Sequence, residues 1–272
     1  MTLVSTDWLS ENKNNVKIID ASWHLIKNRN AIEEYDNEHI ENAIFFDLDK
    51  NSNQKKDLPH NHFLPTLDDH EKNISKMGIS NKDRIVIYCY SDLISSCRAW
   101  FQFLYFGHDP KLVSVLNGGM KKWKLEERKV TNLKTKIIPS KYKAKENKNM
   151  IKIKSQINKN IEIKDFTVLD ARSKNRFLGL EPEPRPGIKS GSIEGSKSLP
   201  LSKIVNIKDN TFLDTKKLRD IFNLSEINSD KIVMSCGSSV SAASLALAYS
   251  LINDDYIPKI YIGSWTEYGK KL

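Results

Sequence analysis

The chain repeats itself, and that repeat restricts its fold more than any other feature. Val16-Lys-Ile-Ile-Asp20-Ala-Ser22 pairs with Phe166-Thr-Val-Leu-Asp170-Ala-Arg172, and His39-Ile-Glu-Asn-Ala43 with Ser192-Ile-Glu-Gly-Ser196. Asp83-Arg-Ile-Val-Ile-Tyr-Cys89 pairs with Asp230-Lys-Ile-Val-Met-Ser-Cys236, and Leu116-Asn-Gly118-Gly-Met with Tyr261-Ile-Gly263-Ser-Trp. The four matches run in one order at offsets of 150, 153, 147 and 145 residues. Ordered matches at nearly one offset imply two homologous domains. We expect an N-terminal domain over 1–130, a lysine-rich linker over 131–150 and a C-terminal domain over 151–272.

Each half reads as α/β. Short β-branched runs at 16–19, 85–88 and 112–116, then 167–169, 232–234 and 259–262, suit buried parallel strands. Residues 95–106 and 241–252 have the length and pattern of helices following the third such run, and 151–163 is expected to open the second half as a helix. Alternating strands and helices predict a mostly parallel sheet in each half with helices on both faces. Ligands of such sheets sit at the carboxyl ends of the strands, which is where Cys89 and Cys236 fall.

Three cysteines form no disulfide framework and lack metal-ligand spacing. No apolar run spans a membrane and the first 13 residues lack a signal-peptide pattern, so a reduced, cytoplasmic protein is expected. The net charge of +9 invites a nucleic-acid reading. Ten of the lysines, however, lie in 131–164 with no arginine and one aromatic, Tyr142. That pattern suits a solvated connector better than a surface that reads bases.

Cys236-Gly237-Ser238-Ser239-Val240-Ser241 lies between a strand and an apolar helix. A tight strand-to-helix turn aims backbone N–H groups at one spot and adds the positive end of the helix, which favours a thiolate there. The same nest would hold a persulfide anion. The alternative is a buried, inert cysteine at the end of a core strand. Cys89, its counterpart, is followed by bulky Tyr90, Leu93 and Ile94 with no glycine, so its loop is expected to be silent; Cys97 reads as core.

The loop and the duplication together resemble the rhodanese family, in particular its mercaptopyruvate branch, over roughly residues 3–270. That branch has a Cys-Gly-Ser/Thr-Gly-Val-Thr loop, from which this chain departs at Ser239 and Ser241. A serine where the family has glycine is strained if φ is positive there. Arg176-Phe and Glu181-Pro-Glu-Pro-Arg185 resemble the family segment whose two arginines bind substrate, and a guanidinium fork suits the carboxylate and keto oxygen of a 2-oxo acid. The competing reading pairs them with Glu181 and Glu183 on the surface. Phe46-Asp47-Leu-Asp49 and His62-Phe-Leu-Pro65 resemble first-domain segments that supply an Asp and a His to the loop serine, which implies a relay of Asp49, His62 and Ser238. His60, two residues away, competes with His62. Asp170 and Arg172 read as a structural ion pair, and Trp265 and Tyr268 as residues of the domain interface.

The resemblance implies a sulfurtransferase that moves sulfur from 3-mercaptopyruvate through a Cys236 persulfide to a thiol, a thioredoxin-like protein or cyanide. Catalysis would rest on Cys236, Ser238, His62 and Asp49, and substrate binding on Arg176, Arg185, Gly237, Ser239, Val240 and Ser241. No metal or organic cofactor, nucleic acid or membrane is expected, and the chain is expected to be a monomer. One rival is thiosulfate as donor, though Gly237 and Ser238 stand where the thiosulfate branch carries cationic side chains. A phosphatase would need an arginine where this chain has Ala242. A non-catalytic binding module is the third rival, with Ser239 in its favour.

Overall fold

The computed structural model describes residues 1–25, 28–224 and 231–271. The chain divides into two compact units. Unit 1 comprises Met1–Asn53, Leu64–Asn147 and Asn206–Phe212; unit 2 comprises Gln54–Phe63, Lys148–Val205 and Leu213–Leu272.

Unit 1 contains β1 (Leu3–Val4), α1 (Thr6–Asn12), β2 (Lys17–Asp20), α2 (Ala31–Asn37), β3 (Ala43–Phe45), α3 (Leu67–Lys76), β4 (Ile85–Tyr88), α4 (Ser96–Tyr105), β5 (Val113–Leu116) and α5 (Gly119–Leu125). Unit 2 repeats the plan with β6 (Ile151–Lys152), α6 (Lys154–Ile163), β7 (Thr167–Asp170), α7 (Lys174–Phe177), β8 (Lys197–Ser198), α8 (Thr215–Leu224), β9 (Ile232–Ser235), α9 (Val240–Ser250), β10 (Ile260–Tyr261) and α10 (Ser264–Tyr268). The sheets have the orders β1-β5-β4-β2-β3 and β6-β10-β9-β7-β8, and every strand pair is parallel. The two-domain α/β architecture read from the repeat is therefore present. Residues 151–163 are a short strand followed by a helix rather than one helix.

Burial explains the apolar runs. Successive strand residues point to opposite faces, yet all four residues of β4 and of β9 are buried, so both faces of each sheet are covered. Helix α9 is buried from Val240 through Ala248. Its alanines and serines let it lie close against the sheet. The registers Asp20↔Tyr88 and Asp170↔Ser235 end neighbouring strands level, so each cysteine leaves its sheet beside an aspartate.

The lysine-rich stretch up to residue 147 is laid along unit 1. Thr131 bridges to His39, Ser140 donates its N–H to Ser75, and Lys145 donates to the Phe106 carbonyl. Tyr142 anchors it from below, 2% exposed and stacked on His108. The five lysines of this part are exposed. Among the described residues no helix is long and apolar enough to cross a membrane.

The aspartates that end β2 and β7 differ in their company. Asp170 has Arg172; at the matching place Asp20 has Ser22, whose N–H and hydroxyl it accepts, with Tyr88 also hydrogen-bonded to it and His39 nearby. Burial pushes the Asp20 carboxyl up to about 6 despite those hydrogen bonds. The folded state thus holds a proton the unfolded chain has lost above pH ~4, and stability falls as pH rises through about 6. Asp20→Asn should be nearly neutral at pH 4 and stabilise unit 1 by about 3 kcal/mol at pH 7. Urea unfolding of both proteins at the two pH values checks this; a difference independent of pH would contradict it.

Candidate active site

The site is built on the turn from β9 to α9 in unit 2. Cys236 ends the strand and is 1% exposed. Its carbonyl accepts the Trp265 N–H (2.9 Å), and the Gly237 carbonyl accepts both the N–H (3.0 Å) and the hydroxyl (2.7 Å) of Thr266. The start of α10 therefore clamps the turn from one side. No side chain caps α9, so Val240 and Ser241 open the helix with its N-terminal N–H groups uncapped.

Ser239 adopts φ +61°, ψ 7°, the left-handed conformation that makes its replacement of a glycine costly. Its surroundings hold it there. Its N–H donates to Ser264 Oγ (3.0 Å), whose hydroxyl donates to the Tyr261 carbonyl (3.0 Å), and its own hydroxyl donates to the His62 carbonyl (3.4 Å). The long hydroxyl contact is weak, whereas left-handed serine costs about 1 kcal/mol or more. Strain wins that comparison. Ser239→Gly should leave the urea midpoint of unit 2 unchanged or raise it. Ser239→Ala keeps the strain, loses the weak contact and should lower stability slightly, by less than about 1 kcal/mol. A glycine variant less stable than the alanine variant would contradict this ordering.

Both candidate arginines reach the turn. A Cβ on Gly237 would lie 3.3 Å from Arg185 Nη1 and 3.4 Å from Arg176 Nη2, so both guanidiniums border the position a side chain would take there. Arg185 Nη2 also donates to Ser238 Oγ at 2.8 Å. His62, in the 54–63 segment of unit 2, has Nδ1 3.0 Å from the same hydroxyl. Ser238 is thus the meeting point of Arg185 and His62. Gly237→Ala should press on the Arg185 guanidinium, shift it by a few tenths of an ångström, and lower kcat/KM for an anionic donor by up to about tenfold while leaving the fold intact. Unchanged kinetics would show that the arginines do not work from this position.

His60 serves a different purpose from His62. Its Nε2 lies 3.0 Å from the Ile262 carbonyl and its Nδ1 accepts the His62 N–H at 3.0 Å, an arrangement that the neutral Nε2–H tautomer satisfies. It fastens the backbone of His62 to the segment that follows β10. Asp49 belongs to unit 1, where its carboxylate accepts the Trp23 indole N–H at 3.3 Å.

Behind the arginines lies a chain of charges. Arg172 pairs with Asp170 (2.7 Å), donates to the Gly191 carbonyl (2.8 Å) and lies over the Trp265 ring (4.7 Å). Burial works against the Arg172 cation, but Asp170 and then Glu183 outweigh it and raise its pKa. Glu183 joins Arg172 Nη1 (2.6 Å) to Arg176 Nε (3.2 Å) and Nη2 (2.5 Å). The competing sequence reading was half right, since Arg176 does pair with Glu183, but the pair is buried beside the loop. Trp265 lies in the core of unit 2 with Tyr268 stacked on it. Glu183 and His60 are the residues that the sequence reading undervalued. The prolines flanking Glu183 were the available signal, because they fix the direction of its neighbours.

Cys89 in unit 1 has the same fold position and a different environment. Its thiol donates to Ser96 Oγ at 3.3 Å, and burial raises its pKa. Its carbonyl accepts the Met120 N–H, as that of Cys236 accepts the Trp265 N–H. Cys97 is fully buried on α4.

The family model for the rhodanese-like domain matches residues 5–126 and 154–271. The chain is 37% identical to thiosulfate/3-mercaptopyruvate sulfurtransferase 1, mitochondrial, of Arabidopsis thaliana, covering 98% of this chain and 75% of that one. It is 33% identical to 3-mercaptopyruvate sulfurtransferase of Homo sapiens, covering 98% and 91%. The crystal structure of the 3-mercaptopyruvate sulfotransferase of Escherichia coli superposes with a TM-score of 0.86 at 28% identity, covering 97% and 99%. The chain belongs to the rhodanese family of sulfurtransferases, as a member with two rhodanese-like domains.

Proposed function

We propose that this enzyme takes sulfur from 3-mercaptopyruvate onto Cys236 as a persulfide and passes it to a thiol, a thioredoxin-like protein or cyanide. The observation that carries the reading is the convergence of Arg176 and Arg185 on Gly237, the residue after the cysteine. A 2-oxo acid offers a carboxylate and a keto oxygen, and two guanidiniums at one backbone position can receive both.

The Cys236 thiolate attacks the donor sulfur, forming an S–S bond as the C–S bond breaks. The bonding pair passes into the keto group, giving pyruvate enolate, which takes a proton at carbon to become pyruvate. Ser238, polarised by Arg185, hydrogen-bonds the developing enolate oxygen, and His62 holds that hydroxyl in place and moves its proton. Asp49 is assigned to orient His62 on the family resemblance alone. Gly237, Ser239, Val240 and Ser241 supply the backbone nest for the persulfide anion. The acceptor thiolate then attacks the outer sulfur and restores the Cys236 thiolate. This two-step course predicts ping-pong kinetics. In the proposal the first rhodanese-like domain is silent at Cys89, and the enzyme works as a monomer in the cytoplasm.

Purified enzyme with 3-mercaptopyruvate and a thiol should release pyruvate, faster than it turns over thiosulfate. Cys236→Ser should abolish release. Arg185→Ala should lower kcat/KM about 10- to 100-fold, the loss of one charge-assisted contact, with Arg185→Lys intermediate. Pyruvate release that survives in Cys236→Ser, or a preference for thiosulfate, would refute the assignment.

A further inference from the structure

Glu183 is a buried carboxylate that reaches the cysteine loop through Arg176, whose Nη2 it holds and which lies beside Gly237. Its side chain is 2% exposed and that of Arg176 17%. Arg172 shares it: Asp170 and the Gly191 carbonyl engage the Nε and Nη2 groups, the Trp265 ring lies under the guanidinium, and Glu183 takes Nη1. The tighter tie is to Arg176, where the carboxylate takes the whole Nε–Nη2 edge. Nη2, the amine nearest Gly237, is thus the one that Glu183 shares, so the carboxylate sits on the side of Arg176 that meets the loop. In a site this dry a unit charge is felt strongly, because water screens little of it.

We infer that Glu183 sets which donors the site accepts by charge: it neutralises Arg176 beside Cys236 and so matches the site to a singly charged 2-oxo acid rather than a dianion such as thiosulfate. Arg176 still supplies hydrogen bonds and direction, but less net positive charge. The carboxylate therefore discriminates against a second negative charge on the donor without touching it. It is a positioning and specificity residue, and it deepens the proposed function in that the choice between donors rests on that reading. Its effect on local charge does not.

The test uses two ratios, each of which isolates one elementary charge. The first is the rate of Cys236 alkylation by iodoacetate over that by iodoacetamide, read on the Cys236 peptide by mass spectrometry. The second is kcat/KM for thiosulfate over that for 3-mercaptopyruvate. Glu183→Gln should raise both about tenfold, the order expected for one charge removed at close range. The variant should fold, because the Asp170–Arg172 pair remains. Glu183→Asp keeps the charge but shortens the reach, so it should slow turnover and leave both ratios near wild type. Ratios unchanged in Glu183→Gln, with both donors and both reagents slowed in parallel, would overturn the inference and leave Glu183 a structural brace. A wild-type enzyme that alkylates at Cys236 yet releases no pyruvate would sink the donor reading, and the alkylation ratio would still decide the charge effect.

Discussion

Three residues, Gly237 to Ser239, turn a buried parallel strand into a buried helix, and the arrangement of the site depends on how that turn is held. From one side the backbone and hydroxyl groups at the start of α10 take its carbonyls and its Ser239 N–H. On the other, two guanidiniums border the position that a side chain on Gly237 would take. A turn this short has no slack, so the left-handed φ falls on Ser239 whether or not the residue suits it. The contacts of Ser239 with Ser264 and His62 offset part of that strain and tie the histidine segment to the same point.

The two halves show what small changes do to one scaffold. Both place a cysteine at the end of the central strand and clamp its carbonyl from the segment after the next strand. In unit 1 the following loop runs two residues longer before its left-handed residue, Ile94, and the thiol is occupied by Ser96. The serine at Ser22, where unit 2 has Arg172, leaves Asp20 buried without an arginine beside it, at a cost in stability near neutral pH. Unit 2 uses the matching aspartate to anchor Arg172, and through Glu183 that anchor extends to Arg176 beside the cysteine loop. One substitution separates a stability defect from the base of a charge network.

Much of this was legible in the sequence because the relevant signals are local. The four ordered matches give the duplicated plan, and apolar runs such as 85–88 and 232–234 mark strands buried on both faces. Cys236, Arg176 and Arg185 lie in short runs whose composition carries their chemistry. Of the two-residue strands, β10 falls within the run 259–262, whereas β1, β6 and β8 lie in none of the runs read as strands. The bond from His62 to Ser238 spans 176 residues, and only the folded chain separates His62 from His60. The role of Glu183 was hidden for a related reason. Next to an arginine in sequence, a glutamate reads as a surface partner, and burial is what turns it into a determinant of charge. The lysine ribbon reads as a connector by composition, whereas Tyr142 and a series of backbone hydrogen bonds fasten its first part to unit 1.

The central claim is that Cys236 carries the sulfur. The most direct measurement is the mass of each cysteine peptide after a single turnover with 3-mercaptopyruvate and no acceptor. The account predicts that the Cys236 peptide gains the mass of one sulfur atom, in step with one equivalent of pyruvate, while the Cys89 and Cys97 peptides are unchanged. Pyruvate released from an enzyme whose Cys236 stays unmodified, or sulfur found on Cys89 instead, would contradict it.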